Sequence, residues 1–370
     1  MTTTSSRTFN LDRLVRPAVH AIPTYRPAKG AGQAPERVIR LDMNESPYPP
    51  TPHVRQALAE FAHTNRYPSF DAGEVRSALA AYSGVPVESV IAGAGLDDVL
   101  NTLFHTLFDP GDQLIISEPT FGVYRALAGI HAAETVDVPL KPGFELDTDG
   151  ILAAITDRTK LIIICTPNNP TGNELDSVAI ERIVSEAPCV VAIDEAYWEF
   201  AGKTHLGLLD KYENVVILRT MSKFAGMAGM RVGYGIFPAE LLAAVNKVVP
   251  AFHNVSMASA VAVKAALEDI DNLNANVAKI KADRDALAGS LREIPGVQPY
   301  ESSTNFLLIE LPVEAAPVVQ KLAERGILVR SFPNPALGLQ NAIRPSIGTT
   351  EENEIFLNAL AEILAEGASA

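Results

Sequence analysis

The sequence predicts an α/β fold: a large domain on a mostly parallel, doubly wound sheet, followed by a smaller α+β domain. Two observations carry that prediction. Between Ser89 and Ile236, short β-branched runs alternate with amphipathic helical stretches, which is the pattern of βαβ units. The runs are nearly continuous in apolar residues, as expected of strands covered on both faces.

Taken in order, the first forty residues are rich in Pro, Thr and Arg, and residues 1–40 read as an N-terminal arm that also enters the small domain. Residues 41–255 make the large domain. Its expected strands are Val90-Ile91, Gln113-Ser117, Thr135-Val138, Leu161-Cys165, Val190-Ile193, Val215-Arg219 and Val232-Ile236, with helices such as Asp97 to Phe108 and Ser177 to Ser185 between them. Residues 256–370 form the small domain. It opens with one long helical region to about Arg292, continues through strands at Asn305-Glu310, Ile327-Val329 and Ile343-Ile347, and closes with a helix from Glu351.

Composition narrows the function. The chain has 370 residues, of which 47% are hydrophobic, and 44 acids against 30 bases give a net charge of -14. That balance argues against a nucleic-acid surface or an anionic membrane as partner, but not against a small anionic substrate held by a few arginines. Cys165 and Cys189 lie in apolar runs and read as buried free thiols. The N-terminal stretch lacks the apolar core of a signal peptide, and no window is long and apolar enough to span a bilayer, so a cytoplasmic protein is expected. The seven histidines show no metal-binding spacing, and no metal site is expected. His205 and His253 read as structural or solvated, and Trp198 as packing in the large domain.

In a doubly wound sheet, ligands sit beyond the carboxyl ends of the strands. Three such ends carry polar clusters: Asn168-Asn169-Pro170-Thr171-Gly172, Asp194-Glu195-Ala196-Tyr197, and Thr220-Met221-Ser222-Lys223 with Arg231 eight residues further on. Each alone has a plain reading as a turn, a helix cap or a solvated lysine. Together they supply what a pyridoxal phosphate site requires: an amine for a Schiff base, a carboxylate for the pyridinium nitrogen, donors for the phenolic oxygen and a phosphate cradle. Lys223 is expected to bond the cofactor and then shuttle the proton. Asp194 is expected to face the ring nitrogen, Asn169 and Tyr197 the phenolic oxygen, and Thr220, Ser222 and Arg231 the phosphate. A glycine loop before a helix, Ala92 to Asp98, adds backbone amides at Gly95, Leu96 and Asp97. It fails the dinucleotide pattern because Asp98 stands where the third glycine belongs.

These motifs, with Leu41-Asp42-Met43-Asn44-Glu45-Ser46-Pro47, Asn65-Arg66-Tyr67-Pro68 and Pro119-Thr120-Phe121-Gly122, make the chain resemble the fold-type I aminotransferases from about Leu11 to Ala365. Within them it resembles the histidinol-phosphate aminotransferases. The resemblance implies pyridoxal 5'-phosphate as cofactor, with Phe121 stacked on its ring. It also implies a homodimer in which Tyr67 reaches the neighbouring site. Arg344 would grip the substrate carboxylate or phosphate, Arg330 would contact substrate phosphate, and Tyr25 in the arm would close over the substrate. The implied reaction passes an amino group from L-histidinol phosphate to 2-oxoglutarate, a step of histidine biosynthesis. Related readings are an aromatic amino-acid aminotransferase, a threonine-phosphate decarboxylase and a non-catalytic protein keeping the fold. The chain departs from the family pattern at Phe121, where tyrosine is usual, and at Ala94, Leu96 and Asp98 in the glycine loop.

Overall fold

A computed structural model of the chain describes residues 11–22, 38–250 and 254–368. Among the described residues the strands are β1 (Ile39–Leu41), β2 (Val90–Ala94), β3 (Gln113–Ile116), β4 (Glu134–Asp137), β5 (Thr159–Cys165), β6 (Val190–Asp194), β7 (Val215–Thr220), β8 (Val232–Ile236), β9 (Gln298–Pro299), β10 (Ile309–Glu310), β11 (Ile327–Ser331) and β12 (Ala342–Arg344). Seven of them build one sheet in the order β2-β8-β7-β6-β5-β3-β4, in which only β8 runs antiparallel to its neighbours.

Alternation along the strands explains their uninterrupted apolar sequence. Leu161, Ile163 and Cys165 pack into one layer, with Leu103 and Leu114, while Ile162 and Ile164 pack into the opposite layer, with Ile115 and Ile193. Both faces are covered, so neither set of side chains can be polar. The helix Leu96–Leu107 lies against β2 and β8 and starts at Gly95, whose φ of 89° suits glycine. Asp97 and Asp98 occupy its first turn, where the helix dipole favours negative charge.

The second sheet has the order β1-β11-β12-β10-β9, parallel between β1 and β11 and antiparallel elsewhere. Here the structure departs from several expectations. The single helix expected up to Arg292 is two, Met257–Glu268 and Ile270–Arg292, parted at Asp269 with φ -112° and ψ 37°. The Asp269 carboxylate accepts from the Asn272 amide at 2.6 Å, a local bond that competes with continued helix. The strand expected over Asn305-Glu310 is regular only at Ile309–Glu310. Upstream of it, the hydroxyls of Ser302 and Thr304 both donate to the Phe306 carbonyl, at 2.7 and 3.1 Å, and hold the backbone in a local turn. β1 was not foreseen at all, because three residues carry too little periodicity. It is made by pairing in register with β11, Ile39 opposite Ile327 and Leu41 opposite Val329. Among the described residues no helix is long and apolar enough to cross a membrane.

Candidate active site

Strand register brings the three polar clusters together. Cys165 at the end of β5 lies opposite Asp194 at the end of β6, and Asp194 lies opposite Leu218 near the end of β7. The backbone continues this pairing past the strands: Thr166 N–H donates to the Asp194 carbonyl at 2.9 Å, and Glu195 N–H to the Leu218 carbonyl at 2.8 Å. Successive residues then point to opposite sides of the sheet. Asp194 turns to the side of Tyr124, whereas Glu195 turns to Arg219 and holds it at 2.9 Å in a fully buried ion pair. Trp198 covers that pair, its ring centroid 4.2 Å from the guanidinium carbon. His205 joins this cluster, with Nδ1 3.3 Å from Glu195.

Asp194 is 2% exposed and accepts the Tyr124 hydroxyl at 2.6 Å and the Ala196 N–H at 3.0 Å. Burial pushes its carboxyl up to about 6, while those two donors pull it back. A buried carboxylate of this kind could pair with a cationic ring nitrogen. Tyr197 is 3% exposed, its hydroxyl raised above its ordinary range by burial, with Arg344 and Asn44 opposing the rise. Asn169 is buried, and its amide oxygen accepts a hydrogen bond from Arg344. The neighbouring Asn168 ties this turn to the Phe121 loop, donating to the Pro119 carbonyl at 2.9 Å and accepting the Thr120 hydroxyl at 3.0 Å. Phe121 stands edge-on to Tyr124, 5.5 Å between centroids.

Lys223 is half-buried, and its Nζ donates to the Met43 carbonyl at 3.2 Å. Burial, reinforced by the Arg344 charge, lowers its ammonium to about 8, against the pull of Glu45 and Asp97. The Thr220 hydroxyl donates to Ser222 Oγ at 3.0 Å, and Arg231 pairs with Asp97 at 3.2 Å, which holds the guanidinium at the mouth of the glycine loop. That loop is closely packed around its glycines. A Cβ on Gly95 would lie 2.3 Å from Arg231, and one on Gly233 would lie 2.2 Å from the Leu96 nitrogen. Gly95 N–H is turned back onto the Gly93 carbonyl at 2.8 Å, which leaves the opening turn of the helix, Leu96 and Asp97, as the donor face. The loop departures have physical reasons. The Leu96 side chain is buried in the core under the sheet, and Asp98 accepts the Ala94 N–H at 3.0 Å to close the turn.

Arg344 is 7% exposed, bridging Asn169 and the Asp42 carbonyl, the latter at 3.0 Å. Arg330 lies directly opposite it across β11 and β12, so both side chains leave the same face of the sheet. Tyr67 is on the surface, 83% exposed. Tyr25 and His253 lie outside the described residues. Sequence reasoning missed Tyr124, which no local pattern separates from a core aromatic, and it missed what Asn44 touches. Among the described residues no cluster of His, Cys, Asp or Glu could hold a metal ion, and both cysteines are free and buried.

The family model for aminotransferase class I and II matches residues 36–360. The chain belongs to the class I and II aminotransferases. It is 38% identical over 367 residues to a histidinol-phosphate aminotransferase of Roseiflexus castenholzii, covering 95% of this chain and 98% of that one. It is 36% identical over 360 residues to one of Dehalococcoides mccartyi, covering 96% and 99%. A solved histidinol-phosphate aminotransferase from Sinorhizobium meliloti, in complex with pyridoxal-5'-phosphate, superposes with a TM-score of 0.87 at 25% identity, covering 95% of this chain and 98% of that one. This aminotransferase has the fold-type I architecture expected from its sequence and is pyridoxal-phosphate dependent.

Proposed function

We propose that this aminotransferase moves the amino group of L-histidinol phosphate to 2-oxoglutarate, giving imidazole-acetol phosphate and L-glutamate in histidine biosynthesis. The relatives at 36–38% identity bear that enzyme's name, and neither the aromatic aminotransferase nor the lyase reading is favoured. The observation that carries the substrate class is the Arg330 and Arg344 pair. Their Cα positions pair across β11 and β12, and two guanidinium groups leaving one face of the sheet suit a phosphate-bearing anion.

The roles follow from position. When bound, the cofactor supplies an aldehyde and an electron-accepting ring. Lys223 Nζ, lowered to about 8 and so neutral in a large share of molecules near that pH, would be the amine that holds the cofactor and would carry the proton from the substrate α-carbon. Asp194, kept in place by Tyr124, would hold a proton on the ring nitrogen. Tyr197 and Asn169 donate to the phenolic oxygen. Thr220, Ser222, Arg231 and the amides of Leu96 and Asp97 would hold the phosphate, and Phe121 would pack on the ring. Arg344 orients the substrate carbon chain by its anionic end. We read the enzyme as a cytoplasmic homodimer, supported by Tyr67 and Phe70, which are 83% and 73% exposed on one stretch of chain and offer aromatic surface to a second copy.

The test presents the cofactor-loaded protein with L-histidinol phosphate, L-phenylalanine and O-phosphothreonine in turn. Loss of the visible cofactor band with histidinol phosphate alone is expected. Rapid conversion of phenylalanine instead would move the assignment to the aromatic enzyme, and carbon dioxide released from phosphothreonine would move it to the lyase.

A further inference from the structure

The segment Leu41–Asn44 threads between the substrate-gripping strand and the lysine, and each of its residues is tied to the site. Leu41 O accepts the Ser346 N–H at 2.7 Å, Asp42 O accepts Arg344 at 3.0 Å, and Met43 O accepts Lys223 at 3.2 Å. Asn44 makes the most connections of the four. Its N–H donates to Ser346 Oγ at 2.7 Å, its carbonyl accepts the Asn305 amide at 3.1 Å, and its side-chain Nδ2 donates to the Tyr197 hydroxyl at 2.9 Å. It is 2% exposed and holds φ at 52°, a left-handed conformation that asparagine and glycine tolerate and other residues resist.

The direction of the amide is fixed by its surroundings. Ser346 Oγ reaches Asn44 Oδ1 at 3.4 Å, which leaves Nδ2 to face Tyr197. A phenol oxygen that accepts from an amide on one side has its own hydrogen free for the other side. Tyr197 packs edge-on against Phe306 at 5.3 Å, and the Arg344 guanidinium lies 5.2 Å from the same ring, so few other directions remain open.

We propose that Asn44 is a positioning residue that aims the Tyr197 proton at the phenolic oxygen of the cofactor, and that it links this hydrogen bond to the Ser346 segment carrying Arg344. The inference rests on the reading of Tyr197 given above. Substrate engagement at Arg344 and the electronic state of the cofactor are then coupled through one side chain. Asn44 is bonded to the segment two residues beyond the arginine and to the hydroxyl that stabilises the phenolic anion.

The glycine variant isolates the effect, because Asn44→Gly keeps the left-handed backbone without strain and removes only the amide. The readout is the pH midpoint of the visible absorbance change of the loaded enzyme, in the absence of substrate. Weaker stabilisation of the phenolic anion raises that midpoint, by about one pH unit for the loss of one hydrogen bond's worth of aim, a roughly tenfold shift in equilibrium. In a Tyr197→Phe background the same Asn44→Gly change is expected to move the midpoint no further, since the path runs through the hydroxyl. An equal shift in both backgrounds, or none in either, overturns the proposal. If the unsubstituted enzyme forms no visible band with pyridoxal phosphate, the active-site reading itself falls, a result distinct from a band that forms and titrates without regard to Asn44. A drop in melting temperature common to both backgrounds, with no difference in midpoint, would mark Asn44 as structural and also overturns it.

Discussion

In the proposed mechanism Lys223 has to be an uncharged nucleophile near neutral pH, and its surroundings move it that way. Burial is the larger cause, and the Arg344 charge adds to it. Arg344→Met is therefore expected to raise the pKa of the free amine above about 8. The check is the rate at which cofactor-free protein condenses with pyridoxal, followed against pH: the midpoint should move to higher pH, and an unchanged midpoint would dismiss the arginine's part. Asp194 needs the opposite help. Its carboxyl sits at about 6 only because the Tyr124 hydroxyl and the Ala196 N–H counter its burial. Tyr124→Phe removes a charge-assisted hydrogen bond from a buried group and should raise that pKa further. Because the ionised carboxylate is the form proposed to pair with the ring nitrogen, cofactor affinity should fall about tenfold or more at pH 7, and its acid-side decline should move to higher pH. Equilibrium dialysis over pH 5 to 8 reads both effects.

At the scale of elements, the cradle depends on how closely β8 approaches the start of the helix Leu96–Leu107. A methyl group at Gly233 would meet the Leu96 nitrogen at 2.2 Å and the Gly95 carbonyl carbon at 2.5 Å, both backbone atoms that cannot rotate away. Gly233→Ala should lower pyridoxal phosphate affinity at least tenfold, measured by fluorescence titration, since the loop must lift off its strand. Behind the same strands, Glu195 and Arg219 fix the ends of β6 and β7 by a buried pair with Thr204 bonded to both. Arg219→Met leaves a buried carboxylate without its charge partner and is expected to cost about 3–5 kcal/mol in urea unfolding. A double replacement, Glu195→Met with Arg219→Met, should recover part of that loss, because no uncompensated charge stays behind.

At the scale of the molecule, Arg344 from β12 of the small sheet donates to Asn169 beyond β5 of the large sheet, so the proposed site draws on both sheets. The proposed dimer adds a third contributor. Mixing Tyr67→Phe and Lys223→Ala subunits should give hybrid dimers with unequal sites, one carrying both defects or neither and the other the remainder. Activity of the mixture that simply adds the two parent activities would count against a shared site.

The strand ends were legible because chemistry and periodicity coincide there. Asp194, Lys223 and Asn169 each follow a run of apolar residues whose length and β-branching mark a strand, and the polar residue after it has to lie at the carboxyl edge. The alternation of strands and helices likewise settled the doubly wound sheet, since local hydrophobic period depends only on near neighbours in the chain. What local sequence cannot hold is the partner of a side chain that is far away in the chain. The Tyr124 hydroxyl on Asp194, the β1 pairing with β11, and the Asn44 amide on Tyr197 all join residues separated by 70 positions or more, and each exists because folding closes the loop between them. The sequence by itself therefore determined the doubly wound fold and which polar groups stand at its strand ends, the groups proposed to do the chemistry. The tertiary structure decided which hydrogen bonds set their protonation and direction, because those depend on burial and on donors that only packing brings into reach.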